Sequence, residues 1–365
     1  MLESMERRDR EHGRIASLQV SLVPALIVAV LALAGMAVIF LYDARIAAGG
    51  WLTALVLWSG IAIGCLFALM IHTLTGGRWG TRFAPALFPA AMALPLIAAL
   101  FAPILVELKI IYPWAYDPAS TPSDVSQLYL NIPFYIARSL GALFFWTIMG
   151  LLLTRVSGGA AVLVAAIGLG IHGLIIGLIG LDWILSLEPA FISTSFGATL
   201  AFTQFAAALA WAAIISPTDS KDPALADIGG LLLATLLGIT YLNFIAVLVI
   251  WYGNLPQKAL FLVRRDEGPW MLIGVLAFAL GSVFPIFSLF LERVRSSALG
   301  LRCIGAVALV GIALYDAYLI APSFGVLSLA SALVASTAVG ALFVAFLSLS
   351  WAKDAHKKWS AARAR

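Results

Sequence analysis

Residues 181–197, LDWILSLEPAFISTSFG, hold the densest group of chemically capable side chains in an otherwise apolar chain. Asp182 and Glu188 can accept or release protons, Pro189 fixes the backbone after Glu188, and Ser193, Thr194 and Ser195 add hydroxyls. A connector between two membrane helices ordinarily carries interchangeable polar residues. Carboxylates at the edge of hydrocarbon are expensive, and they mark a proton route, a ligand or a partner. The competing reading is that both acids cap helix ends in a solvated loop. Further polar groups stand out against apolar runs: Arg138, Asn254, Asp316 and two histidines, His72 and His172. Two histidines can hold a haem. Here their depths differ by roughly 15 Å at 1.5 Å of rise per residue, so one iron cannot take both. His172 reads as a packed, hydrogen-bonded side chain beside a GxxxG pair, Gly173 and Gly177, that admits a close helix. His72 opens HTLTGGRWG (72–80), a tight turn, and is either a proton uptake point or an anchor of that turn. Catalytic triads, phosphate-binding loops and metal-ligand spacings are absent from the sequence, and without CxxC or CxxCH it offers no covalent haem or iron–sulfur ligation.

The elements that must position these groups follow from composition. Hydrophobic residues make up 62% of the 365 and charged residues only 11%, with a mean hydropathy of +1.04. An average soluble domain carries about 25% charged residues. The chain therefore reads as an all-α integral membrane protein, since a run of about 20 apolar residues crosses the hydrocarbon and only a helix then satisfies its own backbone. Ten spans are expected near 18–41, 51–74, 83–105, 133–155, 160–181, 195–216, 227–251, 269–291, 298–320 and 326–350. The first follows MLESMERRDREHGR and is too long for a cleaved signal core, so it reads as a retained helix. The domain organisation is a basic tail (1–17), a ten-helix membrane domain (18–350) and a second basic tail (351–365).

Sixteen of the 22 lysines and arginines fall in the two tails and the even-numbered loops, and six fall on the other side: Arg45, Lys109, Arg138, Lys258, Arg264 and Arg265. The positive-inside rule then puts both termini in the cytoplasm. The net charge of +4 is a topology signal and gives no sign of nucleic-acid binding. In that orientation Asp182, Glu188, Arg138, Asn254 and Asp316 gather at the outer face, where Trp251 and Tyr252 add interfacial aromatics. An outer pocket built from these groups is the expectation, with His72 at the inner face.

Several stretches resemble the polysulfide-reductase membrane-subunit (NrfD-like) superfamily, and more closely the second such subunit of alternative complex III. They are HTLTGGRWG (72–80), YLNIPFYIARSLGALFFW (129–146), DWILSLEPAFISTSFG (182–197), WYGNLP (251–256) with RRDEGPW (264–270), and DAYLIAPSF (316–324). They keep their order and cover nearly the whole chain. The sequence departs from the family pattern at SDVSQLYLN (123–131), at Ile245-Ala246 and at Gln257-Lys258.

The resemblance implies NrfD-like four-helix bundles in the bacterial inner membrane. It also implies a quinol-oxidising respiratory complex with an iron–sulfur subunit, cytochrome c subunits and a second NrfD-like membrane subunit as partners. The chain then has no redox centre of its own, and its only expected cofactor is a quinol or quinone, not covalently bound. Asp182, Glu188, Asp316 and His72 are the expected proton-handling groups. Arg138, Trp251, Tyr252 and Asn254 are the expected walls of an outer quinol pocket, and no metal site is expected. The alternatives are a stand-alone solute or ion transporter and a non-catalytic structural subunit.

Overall fold

The computed structural model of the chain describes residues 22–189, 191, 193–215 and 222–349. The two basic tails and Lys221 lie outside them. Among the described residues, ten helices are long and apolar enough to cross a membrane: α1 Leu22–Tyr42, α2 Ala44–Thr75, α3 Arg78–Val106, α4 Ile132–Leu153, α5 Gly158–Trp183, α6 Phe196–Ile215, α7 Ala224–Tyr252, α8 Pro269–Phe290, α9 Ala298–Ile320 and α10 Leu327–Leu347. The protein is thus all-helical and multi-pass.

Helices α2–α5 pack as one four-helix bundle and α6–α9 as a second. The bundles meet along α2 and α6, the two most enclosed helices, while α1 and α10 lean on α2. Lipid tails are as apolar as leucine, so such helices associate by close packing over small residues. At Gly64 of α2 a Cβ would fall 1.9 Å from the Gln204 carbonyl oxygen of α6, so any larger residue forces the bundles apart. Gly305 of α9 also lies close to α6, where a Cβ would fall 2.9 Å from the Ala210 carbonyl oxygen. The expected GxxxG contact forms differently. Gly177 meets Gly197 of α6, whereas Gly173 faces open space because it sits on the outward side of α5.

Two helices are irregular for identifiable reasons. Prolines at 85, 89, 95 and 103 remove backbone donors along α3, which breaks into segments 78–91, 94–100 and 102–106. The freed carbonyl of Leu100 is taken by the indole N–H of Trp51, at 3.0 Å. In α8, residues 279–283 form a π-helical turn just before Pro285. There Gly281 and Gly311 of α9 bring their backbones together.

Alternation of the helices brings the connectors after α1, α3, α5, α7 and α9 to one end, hereafter the connector end. Contacts between them agree, with Arg45 bonded to the Ser323 carbonyl and Tyr112 to that of Trp183. The opposite end is tied by Arg82–Asp222 at 2.6 Å and Arg78–Asp227 at 3.4 Å.

Candidate functional site

Asn131 caps α4 by accepting from the Phe134 amide, and this sets Arg138 two turns into the helix. Asp182 lies in the last turn of α5. The two side chains form a bidentate pair, Nε to Oδ2 at 2.7 Å and Nη2 to Oδ1 at 2.8 Å. Asp182 is wholly buried and Arg138 nearly so. The guanidinium also donates to the Tyr129 carbonyl at 3.0 Å and lies in the corner formed by the Tyr129 and Phe134 rings, 3.9 and 4.2 Å from their centroids. Burial, and then the charge of Asp182, push the Tyr129 phenol up to about 12. A carboxylate holding two charge-assisted hydrogen bonds is neutralised in place. The pair is therefore a clamp between α4 and α5, and Asp182 is not a free base.

Beneath the clamp the first bundle is filled with aromatic side chains. Tyr135 donates to the Tyr112 hydroxyl at 2.8 Å, Tyr112 donates to the Trp183 carbonyl at 3.1 Å, and the Trp183 indole donates to Ser139 at 3.0 Å. Trp114 stacks on Tyr112 and Phe101 packs on Trp183. Tyr112, Trp114 and Tyr135 are all essentially inaccessible to solvent. This end of the bundle is a plug.

Glu188 has a different cation. Nη2 of Arg265 donates to Glu188 Oε1 at 2.6 Å, and Arg264 approaches Oε2 at 3.6 Å. Arg265 is buried, and three more of its N–H groups are bonded, to the carbonyls of Phe261, Tyr318 and Leu319, at 3.0 to 3.1 Å. Tyr318 and Leu319 belong to the last turn of α9, where carbonyls have no partner along the helix and a cation is favoured by the helix dipole. The face of the guanidinium rests on Phe261, 3.6 Å from the ring centroid, and Phe261 stacks in turn on Phe191. Arg265 thus joins the α5–α6 connector, the α7–α8 connector and the end of α9.

Asp316 is buried in α9, two and three residues before those carbonyls, and makes no hydrogen bond or ion pair among the described residues. It is a buried acid without a countercharge among the described residues.

The other expected residues lie elsewhere. Asn254 is exposed and takes a positive φ of 44°, which suits asparagine and closes the turn after α7. Trp251 and Tyr252 are 75% and 79% exposed. None of these three borders the cavity enclosed by α6–α9, and Arg138 belongs to the other bundle. All four residues expected to wall an outer pocket are at the connector end, with Arg138 in the first bundle and Trp251, Tyr252 and Asn254 exposed. His72, at the opposite end, is buried with Nδ1 3.0 Å from the Gly76 carbonyl and its ring edge-on to Trp79. Gly80 presses on the imidazole so closely that a Cβ there would collide with it. His72 anchors the turn. His172 accepts from the Trp146 indole at 3.1 Å and packs on Phe67.

No family model matches the chain, and no curated protein does.

Arg265 is the residue that reading the sequence missed. It stands in RRDEG within a connector, where arginines look like topology charges. The available signal was a buried-type partner for Glu188, because an acid held by a following proline in an apolar setting requires a cation.

Proposed function

We propose that this chain is a membrane subunit of a quinol-oxidising respiratory complex of the bacterial cytoplasmic membrane, with both termini inside. Its partners are an iron–sulfur subunit, cytochrome c subunits and a second membrane subunit of the same type. The observation that carries this reading is the gathering of buried charge at one end of an apolar body. Asp182, Arg265 and Asp316 are buried there and the Arg138 side chain nearly so, at positions where ionisable groups are kept for a task. The motifs 182–197, 251–256 and 264–270 that resemble the respiratory family supply the elements of that end.

Quinol oxidation releases two protons with two electrons, so a subunit at the outer face must offer proton-accepting groups or a rigid platform for those that do. The geometry divides these tasks. The Arg138–Asp182 and Arg265–Glu188 clamps hold α4, α5, two connectors and the end of α9 in one arrangement, and Asp316, a buried acid without a countercharge among the described residues, is the proton-handling group. In the assembled complex, Asp316→Asn should lower quinol-dependent turnover while leaving the subunits associated. Unchanged turnover would remove the proton role and leave a scaffold.

A transporter is the second reading, favoured by the interrupted α3 and the π-helical turn of α8, since broken helices line the sites of many carriers. The full chain in liposomes distinguishes the two. A transporter moves solute alone, whereas a complex subunit is silent.

A further inference from the structure

The second bundle is hollow. Helices α6, α7, α8 and α9 enclose a cavity of about 320 Å3 near the connector end, roofed by Phe191 and Phe261. Its size lies at the lower edge of the roughly 300–1,000 Å3 typical of small-molecule sites. That is room for one substituted ring, and not for a whole phospholipid.

Two features say from where an occupant comes. First, α7 packs on α8 from Ala279 to Phe290 but very little on Pro269–Phe278, so the two helices splay apart toward the connector end. Second, Val247 of α7 and Phe278 of α8 both line the cavity and are about half exposed on the outside of the bundle. The gap between them opens the cavity to the apolar flank of the bundle. A π-helical turn at 279–283 inserts an extra residue where the splay begins, and such turns concentrate at functional sites.

The lining says what the occupant is. Most of it is apolar or aromatic, including Phe196, Phe278, Tyr315 and Tyr318. The polar groups are neutral. Tyr315 donates to Asn243 Oδ1 at 3.1 Å, which leaves the Asn243 amide N–H groups uncommitted among the described residues. Ser282 is 95% buried, faces the cavity and makes no hydrogen bond among the described residues. An unbonded hydroxyl beside an apolar hollow is a group that awaits a polar partner. The nearest cation, Arg265, is already paired with Glu188 and bonded to three carbonyls, so its charge is met before any phosphate arrives.

We propose that this cavity binds a neutral, ring-headed amphiphile of the bilayer, of the isoprenoid quinone class, admitted sideways between α7 and α8. The ring lies among the aromatic walls, the Asn243 amide and the Ser282 hydroxyl bond its oxygens, and the tail leaves through the Val247–Phe278 gap. The identity of the ring as a quinone rests on the respiratory reading above; the cavity and its lateral opening do not.

The test uses the full chain in phosphatidylcholine nanodiscs, titrated with decylubiquinone, with 1-decanol as a tail-only competitor. Saturable binding of one decylubiquinone is expected, little displaced by decanol. Ala246→Trp, which fills the cavity, and Ser282→Ala, which removes a hydroxyl without adding bulk, should each weaken it by about tenfold or more. The lipid-facing variant Leu174→Ala should leave it unchanged. Three results would overturn the proposal: no saturable binding by a chain with wild-type helicity, binding indifferent to both cavity variants, or displacement by decanol as effective as by quinone. Co-purification with redox subunits is scored separately, so a lost site and a lost respiratory assignment are told apart.

Discussion

Replacing Asp182 by asparagine leaves the Arg138 guanidinium buried against two rings with no counterion. Two charge-assisted hydrogen bonds, at 2.7 and 2.8 Å, are lost or weakened. Such bonds are each worth about 1.5–3 kcal/mol. The cation keeps its contacts with Tyr129 and Phe134, worth about 1–2 kcal/mol in a desolvated setting. The net loss should be about 3–4 kcal/mol, within the roughly 3–5 kcal/mol seen when one partner of a buried pair is removed. Arg138→Met alone should be similar, because it strands the carboxylate. The double variant Arg138→Met, Asp182→Leu removes both charges and leaves only the Tyr129 carbonyl short of a donor, for a loss of about 1 kcal/mol. Equilibrium unfolding in mixed micelles, followed by the fluorescence of buried Trp183 and Trp114, measures all three. Near-additive losses in the double variant, or a single-variant loss below about 1 kcal/mol, would refute the clamp.

Arg265→Gln should cost about 3–5 kcal/mol by stranding Glu188 and the terminal carbonyls of α9, and limited proteolysis should then cut the connectors at 184–195 and 253–268 faster than in the parent chain. Tyr129 provides a pH signature. Its phenol ionises near 10 when unfolded but at about 12 in place, so the unfolded chain loses its proton first and stability falls as pH rises from about 10 to about 12. Tyr129→Phe should flatten that part of the stability profile, and an unchanged slope would count against the burial of this hydroxyl.

Much of the architecture can be read from the chain because hydrocarbon thickness leaves a long apolar run few alternatives. The exceptions are instructive. The second span begins at Ala44 and not at 51, because Asp43 caps the helix and Gly49 and Gly50 are helical contact points under Phe324 and Ser331. Glycine pairs look like breaks in a sequence, yet between membrane helices they are surfaces for close approach. The third span is broken by prolines whose positions were visible, while the Trp51 indole that satisfies the freed Leu100 carbonyl was not.

At the site, residue type was more legible than partnership. Arg138 and Asp182 are 44 positions apart but occupy facing helix ends, which an up-and-down topology makes adjacent. Arg265 reaches Glu188 across 77 positions through a connector whose path no periodicity describes. Asn254, with Trp251 and Tyr252, looked like part of a pocket because it was polar among aromatics. Its positive φ shows a turn residue, and the two aromatics point away from the bundle. The cavity of the second bundle was invisible in advance because it arises from a splay between α7 and α8, a matter of packing that leaves no mark on hydropathy.

Affinity purification of the tagged full chain from native membranes tests the central claim most directly. The account predicts that it brings with it acid-labile sulfide, a c-type haem spectrum and a second ten-span subunit, with quinol-dependent electron transfer in the eluate. A chain that emerges alone, free of haem and sulfide, and that moves a solute across liposomes unaided would contradict it.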